Sequence, residues 1–104
     1  MPQWVRVAST GDCPPGRCCE VVAEDRIVAL CNVEGTFYAL DGFCPHAGGP
    51  LGKGTLSGCT LTCPRHGLQF DVPTGGYEIS RPEVHPTYPV KVEGDEVYLD
   101  VEAT

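Results

Sequence analysis

A chain of 104 residues is the size of one domain with a modest core. Fourteen acidic residues against seven Lys and Arg give a net charge of −7, which leaves no basic patch for a nucleic-acid backbone. The longest clean apolar stretch, Ile27 to Cys31, falls far short of the ~18 residues a membrane-spanning helix needs.

Thirteen Gly and ten Pro punctuate the chain, so it reads as short strands separated by turns. Trp4 to Ala8 is the first expected strand. Arg17 to Ala23 and Arg26 to Val33 form a hairpin around Glu24-Asp25. Thr36 to Leu40 pairs back after Glu34-Gly35. Thr55 to Leu56 and Cys59 to Thr62 flank Ser57-Gly58. Leu68 to Val72 ends at Pro73-Thr74-Gly75-Gly76. Tyr88 to Glu93 and Glu96 to Val101 close the chain as a hairpin across Gly94-Asp95. No segment holds a 3.6-residue apolar period over three turns, so the expected class is all-β, a small antiparallel sandwich or barrel. Two segments resist strand assignment, Asp41 to Gly54 and Cys63 to Gly67.

Those segments hold two short donor pairs, Cys44-Pro45-His46 and Cys63-Pro64-Arg65-His66, with sixteen residues between His46 and Cys63. Each pair supplies one thiolate and one imidazole, the donors of a 2Fe–2S centre with two Cys on one iron and two His on the other. Zinc in a Cys2His2 site is the rival. Ordinary zinc fingers group Cys with Cys and His with His, whereas each loop here mixes one of each. Gly48, Gly49 and Gly67 are expected to let backbone curl around the sulfides and donate N–H bonds to them. Pro45 and Pro64 stiffen the loops.

Seven Cys, an odd count, fit metal binding better than a disulfide framework. Cys19 and Cys31 lie in apolar runs and are expected to be small buried hydrophobes. Cys13 and Cys18 flank a Pro-Pro-Gly turn and are expected nearer the surface, where an oxidising environment would permit a bridge. Cys59 has no assigned role. His85, Lys53 and Arg65 are read as solvated loop residues, with Arg65 also placed to meet a partner's acids. The N-terminus shows no basic stretch followed by an apolar one, so no secretory leader is expected and a cytoplasmic location is the default. The −7 charge suits either a partner with a basic face or simple solubility.

The segments Cys44-Pro-His-Ala-Gly-Gly-Pro-Leu51 and Cys63-Pro-Arg-His-Gly-Leu-Gln-Phe-Asp71 resemble the Rieske ferredoxin family, as do Thr74-Gly75 and the tail Thr87 to Tyr98. The resemblance spans nearly the whole chain and favours soluble members that serve bacterial ring-hydroxylating oxygenases. It implies a single domain over 1–104 with a cluster-binding subdomain at about 41–72. It implies one 2Fe–2S cluster, with Cys44 and Cys63 on the inner iron and His46 and His66 on the outer iron near solvent. Respiratory Rieske proteins join their loops by a disulfide, and the corresponding positions here are Gly49 and Arg65. They also place Ser and Tyr hydroxyls near the cluster, where this chain has Leu68 and Phe70. Fewer hydrogen bonds to sulfur imply a potential at the low end of the Rieske range. In the same resemblance, the segment around Ser80-Arg81-Pro82 would cover the cluster as a third loop.

The implied role is a monomeric one-electron carrier between a flavin reductase and a terminal oxygenase. It is expected to be an electron-transfer protein and not an enzyme; it is not itself the oxygenase, because with only His85 left over the chain cannot build a mononuclear iron triad of two His and a carboxylate. The alternatives are a Rieske subunit of another redox complex, such as a nitrite reductase or a diiron hydroxylase, and a cluster-based redox sensor whose extra thiols report oxidant.

Overall fold

The computed structural model describes residues 2–45, 48–65 and 67–102. Twelve strands run in chain order: β1 Trp4–Ser9, β2 Cys18–Ala23, β3 Arg26–Val33, β4 Thr36–Asp41, β5 Thr55–Ser57, β6 Thr60–Thr62, β7 Gln69–Asp71, β8 Gly76–Glu78, β9 Pro82–Val84, β10 Thr87–Tyr88, β11 Val90–Glu93 and β12 Glu96–Asp100. Single 3₁₀ turns cover Thr10–Asp12 and Leu51–Lys53, and the described residues hold no α-helix. None of their helices is long and apolar enough to cross a membrane.

The strands form three antiparallel sheets, ordered β1-β12-β11, β10-β4-β3-β2 and β5-β6-β7-β8-β9. The middle sheet explains the apolar run of β3. Val28 and Leu30 point to one side, into a core with Val21, Val97 and Leu99. Ala29 and Cys31 point to the other, into a core with Leu40, Leu51, Leu61, Phe70, Cys44 and Cys63. A strand buried on both faces reads as continuous apolar sequence rather than alternation. Burying each of the fully enclosed Leu residues stabilises the fold by about 1.5–3 kcal/mol.

The expected hairpins around Glu24-Asp25, Glu34-Gly35 and Gly94-Asp95 are all present. Their tight reversals put Glu24, Glu34, Gly35 and Gly94 at positive φ, as two-residue hairpin turns demand.

Two departures have local causes. The expected strand Tyr88 to Glu93 is split at Pro89: Thr87–Tyr88 pairs with β4, and Val90–Glu93 pairs with β12. Proline has no N–H for a ladder, so the chain changes sheets there. The short strands β8 and β9 carry no expectation from sequence. They lie at one end of their sheet, β9 on the edge and β8 beside it, and β9 is wholly exposed and shows no apolar alternation.

Candidate metal centre

Two loops leave the body of the fold with the same closure. In the first, the Cys44 N–H donates to the Gly49 carbonyl at 2.9 Å, and the Gly48 N–H donates back to the Cys44 carbonyl at 2.8 Å. In the second, Cys63 N–H meets the Leu68 carbonyl at 2.8 Å, and Gly67 N–H meets the Cys63 carbonyl at 3.2 Å. The glycine four residues after each Cys stands at positive φ, +68° for Gly48 and +74° for Gly67. A Cβ on either would meet nothing within 4 Å, so glycine is required there by backbone conformation and not by space. This corrects the expectation that both glycines give their N–H groups to sulfides, because those groups are already bonded to cysteine carbonyls.

Both loops are fastened at their roots. Phe43 bridges to Pro50, and Leu51 N–H donates to the Gly42 carbonyl at 2.9 Å. The second loop joins β6 to β7, with Thr62 opposite Gln69. Such ends hold the donors on rigid strands.

Cys44 and Cys63 are 2% and 1% exposed and share one apolar core. Gly49 brings the loops together. A Cβ at that position would lie 2.8 Å from the Cys63 sulfur and 2.9 Å from Arg65 Cγ. The two thiols therefore lie buried where the loops converge, and only a glycine fits beside one of them. That cradle and its soft sulfur donors suit iron. His46 and His66 lie outside the described residues, so their part in the ligand set remains an expectation. Pro45, Pro64 and Arg65 are exposed around the loops, and Leu68 is half-buried. Lys53 is exposed as expected.

His85 departs from expectation. It is 4% exposed rather than solvated. Its ring packs 5.2 Å from Phe70 and 6.4 Å from Tyr77, centroid to centroid. Its Nε2 lies 2.9 Å from the Asp41 carbonyl, which can only accept, so Nε2 carries the proton. The His85 N–H bonds Gly75, and the Asp41 N–H bonds Pro86. These bonds clasp the segment after β9 to the strand end that launches the first loop. Nothing in the local sequence Glu83-Val84-His85-Pro86 signals that burial, because the partners come from three other segments.

The remaining thiols also divide differently from expectation. Cys13 is buried, not exposed, and its thiol faces the carbonyls of Arg17 and Leu30 at 3.3 and 3.6 Å. The buried Asn32 side chain holds the Cys13 carbonyl at 2.8 Å. Cys31 is buried as expected, whereas Cys19 is only half-buried, at the end of its strand. Cys18 is half-buried and Cys59 exposed; all seven cysteines are free. Pairing with the Cys13 thiol lowers the Cys19 pKa and raises that of Cys13. Burial raises the pKa of Cys18 and Cys31.

Fold and site together define a small all-β protein in which two matched loops bring two buried thiols into one core. The profile of the Rieske [2Fe-2S] domain family matches residues 3–93, and the chain belongs to that family. Its cofactor is one Rieske-type 2Fe–2S cluster. The chain is 36% identical over 101 residues to the ferredoxin component of the naphthalene 1,2-dioxygenase system of Pseudomonas aeruginosa, covering 95% of this chain and 96% of that protein. It is 34% identical to the biphenyl 2,3-dioxygenase ferredoxin component of Rhodococcus jostii, covering 93% and 92%. Among solved structures, the ferredoxin of carbazole 1,9a-dioxygenase from Nocardioides aromaticivorans superposes with a TM-score of 0.85 at 27% identity, covering 94% and 97%. A putative nitrite reductase small subunit from Mycobacterium tuberculosis, at 22% identity and a TM-score of 0.86, shares the fold.

Proposed function

We propose that this protein carries single electrons from a flavin-dependent reductase to a terminal oxygenase, through one 2Fe–2S cluster bound by Cys44, His46, Cys63 and His66. The observation that carries the ligand set is the matched closure of the two loops, each presenting its cysteine to the same core. Likeness to dioxygenase ferredoxins over nearly their whole length supports the choice of partner. The bound group supplies a centre that accepts and gives one electron.

The chain's own residues do the rest. Cys44 and Cys63 would hold the cluster through their sulfurs, in an apolar core that excludes water. On this reading His46 and His66 would complete the ligand set, and a neutral imidazole bound through one ring nitrogen would keep an N–H on the other. The docking face is the loop tip, rimmed by Pro45, Leu68 and Pro82. Leu51 does not reach that rim: it is fully buried and anchors the loop from beneath. Phe43, beside Cys44 in the chain, has an exposed side chain and joins the rim. One small face serving two partners in turn calls for a contact under about 1,200 Å² that dissociates quickly. The protein works as a cytoplasmic monomer of one domain, 1–104, with 41–72 as its cluster-binding part.

The test is reconstituted turnover. The protein alone oxygenates nothing, but it restores substrate oxidation when added to its own reductase and oxygenase. Equal rates with and without it contradict the reading.

A further inference from the structure

Two of the cysteines that the cluster leaves unused face each other across a β-ladder. Cys18 on β2 is directly opposite Cys31 on β3. The phase of the ladder places them at a non-hydrogen-bonded position. One residue earlier, the Asn32 N–H bonds the Arg17 carbonyl, and in an antiparallel ladder the two kinds of pair alternate. The two-residue turn closing Ala23 against Arg26 gives the same phase, counted from the other end. Directly opposed residues of this kind stand about 4.5 Å apart at Cα. A disulfide accepts a Cα separation of about 4.4–6.8 Å. Cys13 is differently placed. It lies in the core on the other face of the same sheet, so a bridge to Cys18 would have to cross the strand.

Access is one-sided. Cys31 is buried, while Cys18 is half-buried and lines an open cleft of about 400 Å³ with Arg17, Gly52, Lys53, Gly54 and Leu56. Arg17 and Lys53, both exposed, put two cationic residues in the lining of this cleft in a chain of net charge −7. The Cys18 thiol donates to the Gly54 carbonyl at 3.1 Å, just beyond the turn Leu51–Lys53 that ends the first cluster loop.

We propose that Cys18 and Cys31 form a reversible dithiol site, oxidised by a small anionic disulfide that enters the Arg17–Lys53 cleft. The Cys18 thiolate attacks one sulfur of that disulfide. Its S–S bond breaks, and the first small thiolate leaves and takes up a proton. Cys31, having lost its proton to solvent, attacks the Cys18 sulfur and expels the second small thiol. Two protein thiols are oxidised to one cross-strand bridge, and one small disulfide is reduced to two thiols. Closure costs the Cys18–Gly54 hydrogen bond and needs no shift of strand register. Burial holds both thiols protonated at neutral pH, so the exchange accelerates in alkali. The site stands independently of which electron partners the chain serves.

The test treats holoprotein, without oxygen, with oxidised glutathione at pH 8. The protein is then blocked with N-ethylmaleimide in denaturant and digested with trypsin and a Glu-specific protease. The expected product joins the Cys18–Glu20 peptide to the peptide holding Cys31, with cluster absorbance retained. Cys31→Ser should stop at glutathione on Cys18, Cys18→Ser should abolish the bridge, and Cys19→Ser should keep it. The double variant Arg17→Glu, Lys53→Glu should slow bridging by oxidised glutathione several-fold, yet leave its rate with neutral hydroxyethyl disulfide unchanged. Cys31 recovered wholly as its maleimide adduct, a bridge to Cys13 or Cys19, or bridging only in proportion to cluster loss would overturn the proposal. An unchanged glutathione rate in the double variant would overturn the anionic ligand class.

Discussion

Gly49 of the first loop lies against the sulfur of Cys63 in the second, so close that a Cβ there would sit 2.8 Å from it. A free thiol could swing away from an added methyl group, but a sulfur fixed on iron cannot. Gly49→Ala should therefore cut cluster content several-fold. Gly48→Ala meets only open space and should cost about 1–2 kcal/mol of local strain from its positive φ, with most of the cluster kept. Iron and sulfide per chain in the two purified variants check the contrast. Full loading of Gly49→Ala would refute it.

The ligand set predicts a sharp division among the cysteines. Replacing Cys44, His46, Cys63 or His66 with Ala should abolish the native visible spectrum and the rhombic EPR signal of the reduced protein. Replacing Cys13, Cys18, Cys19, Cys31 or Cys59 with Ala should leave both intact. The cavities left by Cys13 and Cys31 should lower stability without altering the signal, because both side chains are fully buried. Titrating each variant for iron, sulfide and g-values checks the division.

The potential should lie below zero at pH 7, near the low end of the Rieske range at roughly −150 mV. Leu68 and Phe70 have no hydroxyl to offer a cluster sulfur. Leu68→Ser and Phe70→Tyr should each raise the potential where the new hydroxyl reaches one. Phe70 is buried against Tyr77 and His85, so its added oxygen must find a partner or destabilise the core. Protein-film voltammetry reads all three values. A wild-type potential above about +100 mV, in the upper Rieske range, would contradict the argument.

Thiol reactivity should follow the pKa directions. Pairing with Cys13 lowers the Cys19 pKa, so its reactive thiolate appears at lower pH than that of Cys18, which burial raises. On raising pH, iodoacetamide should label Cys19 before Cys18. Cys13 and Cys31 should resist until the protein unfolds. Peptide mapping across a pH series gives the order, and Cys18 labelled first would contradict it.

Much of this architecture was legible in local sequence. The Glu34-Gly35 and Gly94-Asp95 turns mark their hairpins by composition, and the mixed Cys/His pairs mark the loops by donor chemistry. What stayed hidden is long-range. His85 is buried because Phe70, Tyr77 and the Asp41 carbonyl converge on it from three segments. Cys13 sits in a core because the buried Asn32 ties its carbonyl down. The roles of the loop glycines also separate only in three dimensions, Gly48 and Gly67 by φ and Gly49 by contact. Pro89 is a visible breaker in the sequence, but the change of sheets there is not.

Transfer of one electron from this protein to an oxygenase through the loop tip is the step on which its proposed role depends. It is tested most directly by mixing the chemically reduced protein with its oxidised terminal oxygenase in an anaerobic stopped-flow instrument. The ferredoxin cluster should reoxidise as the oxygenase is reduced, one electron per chain, and Leu68→Glu should slow this step with little change in the ferredoxin spectrum. A reduced protein that stays reduced beside its oxygenase would contradict it.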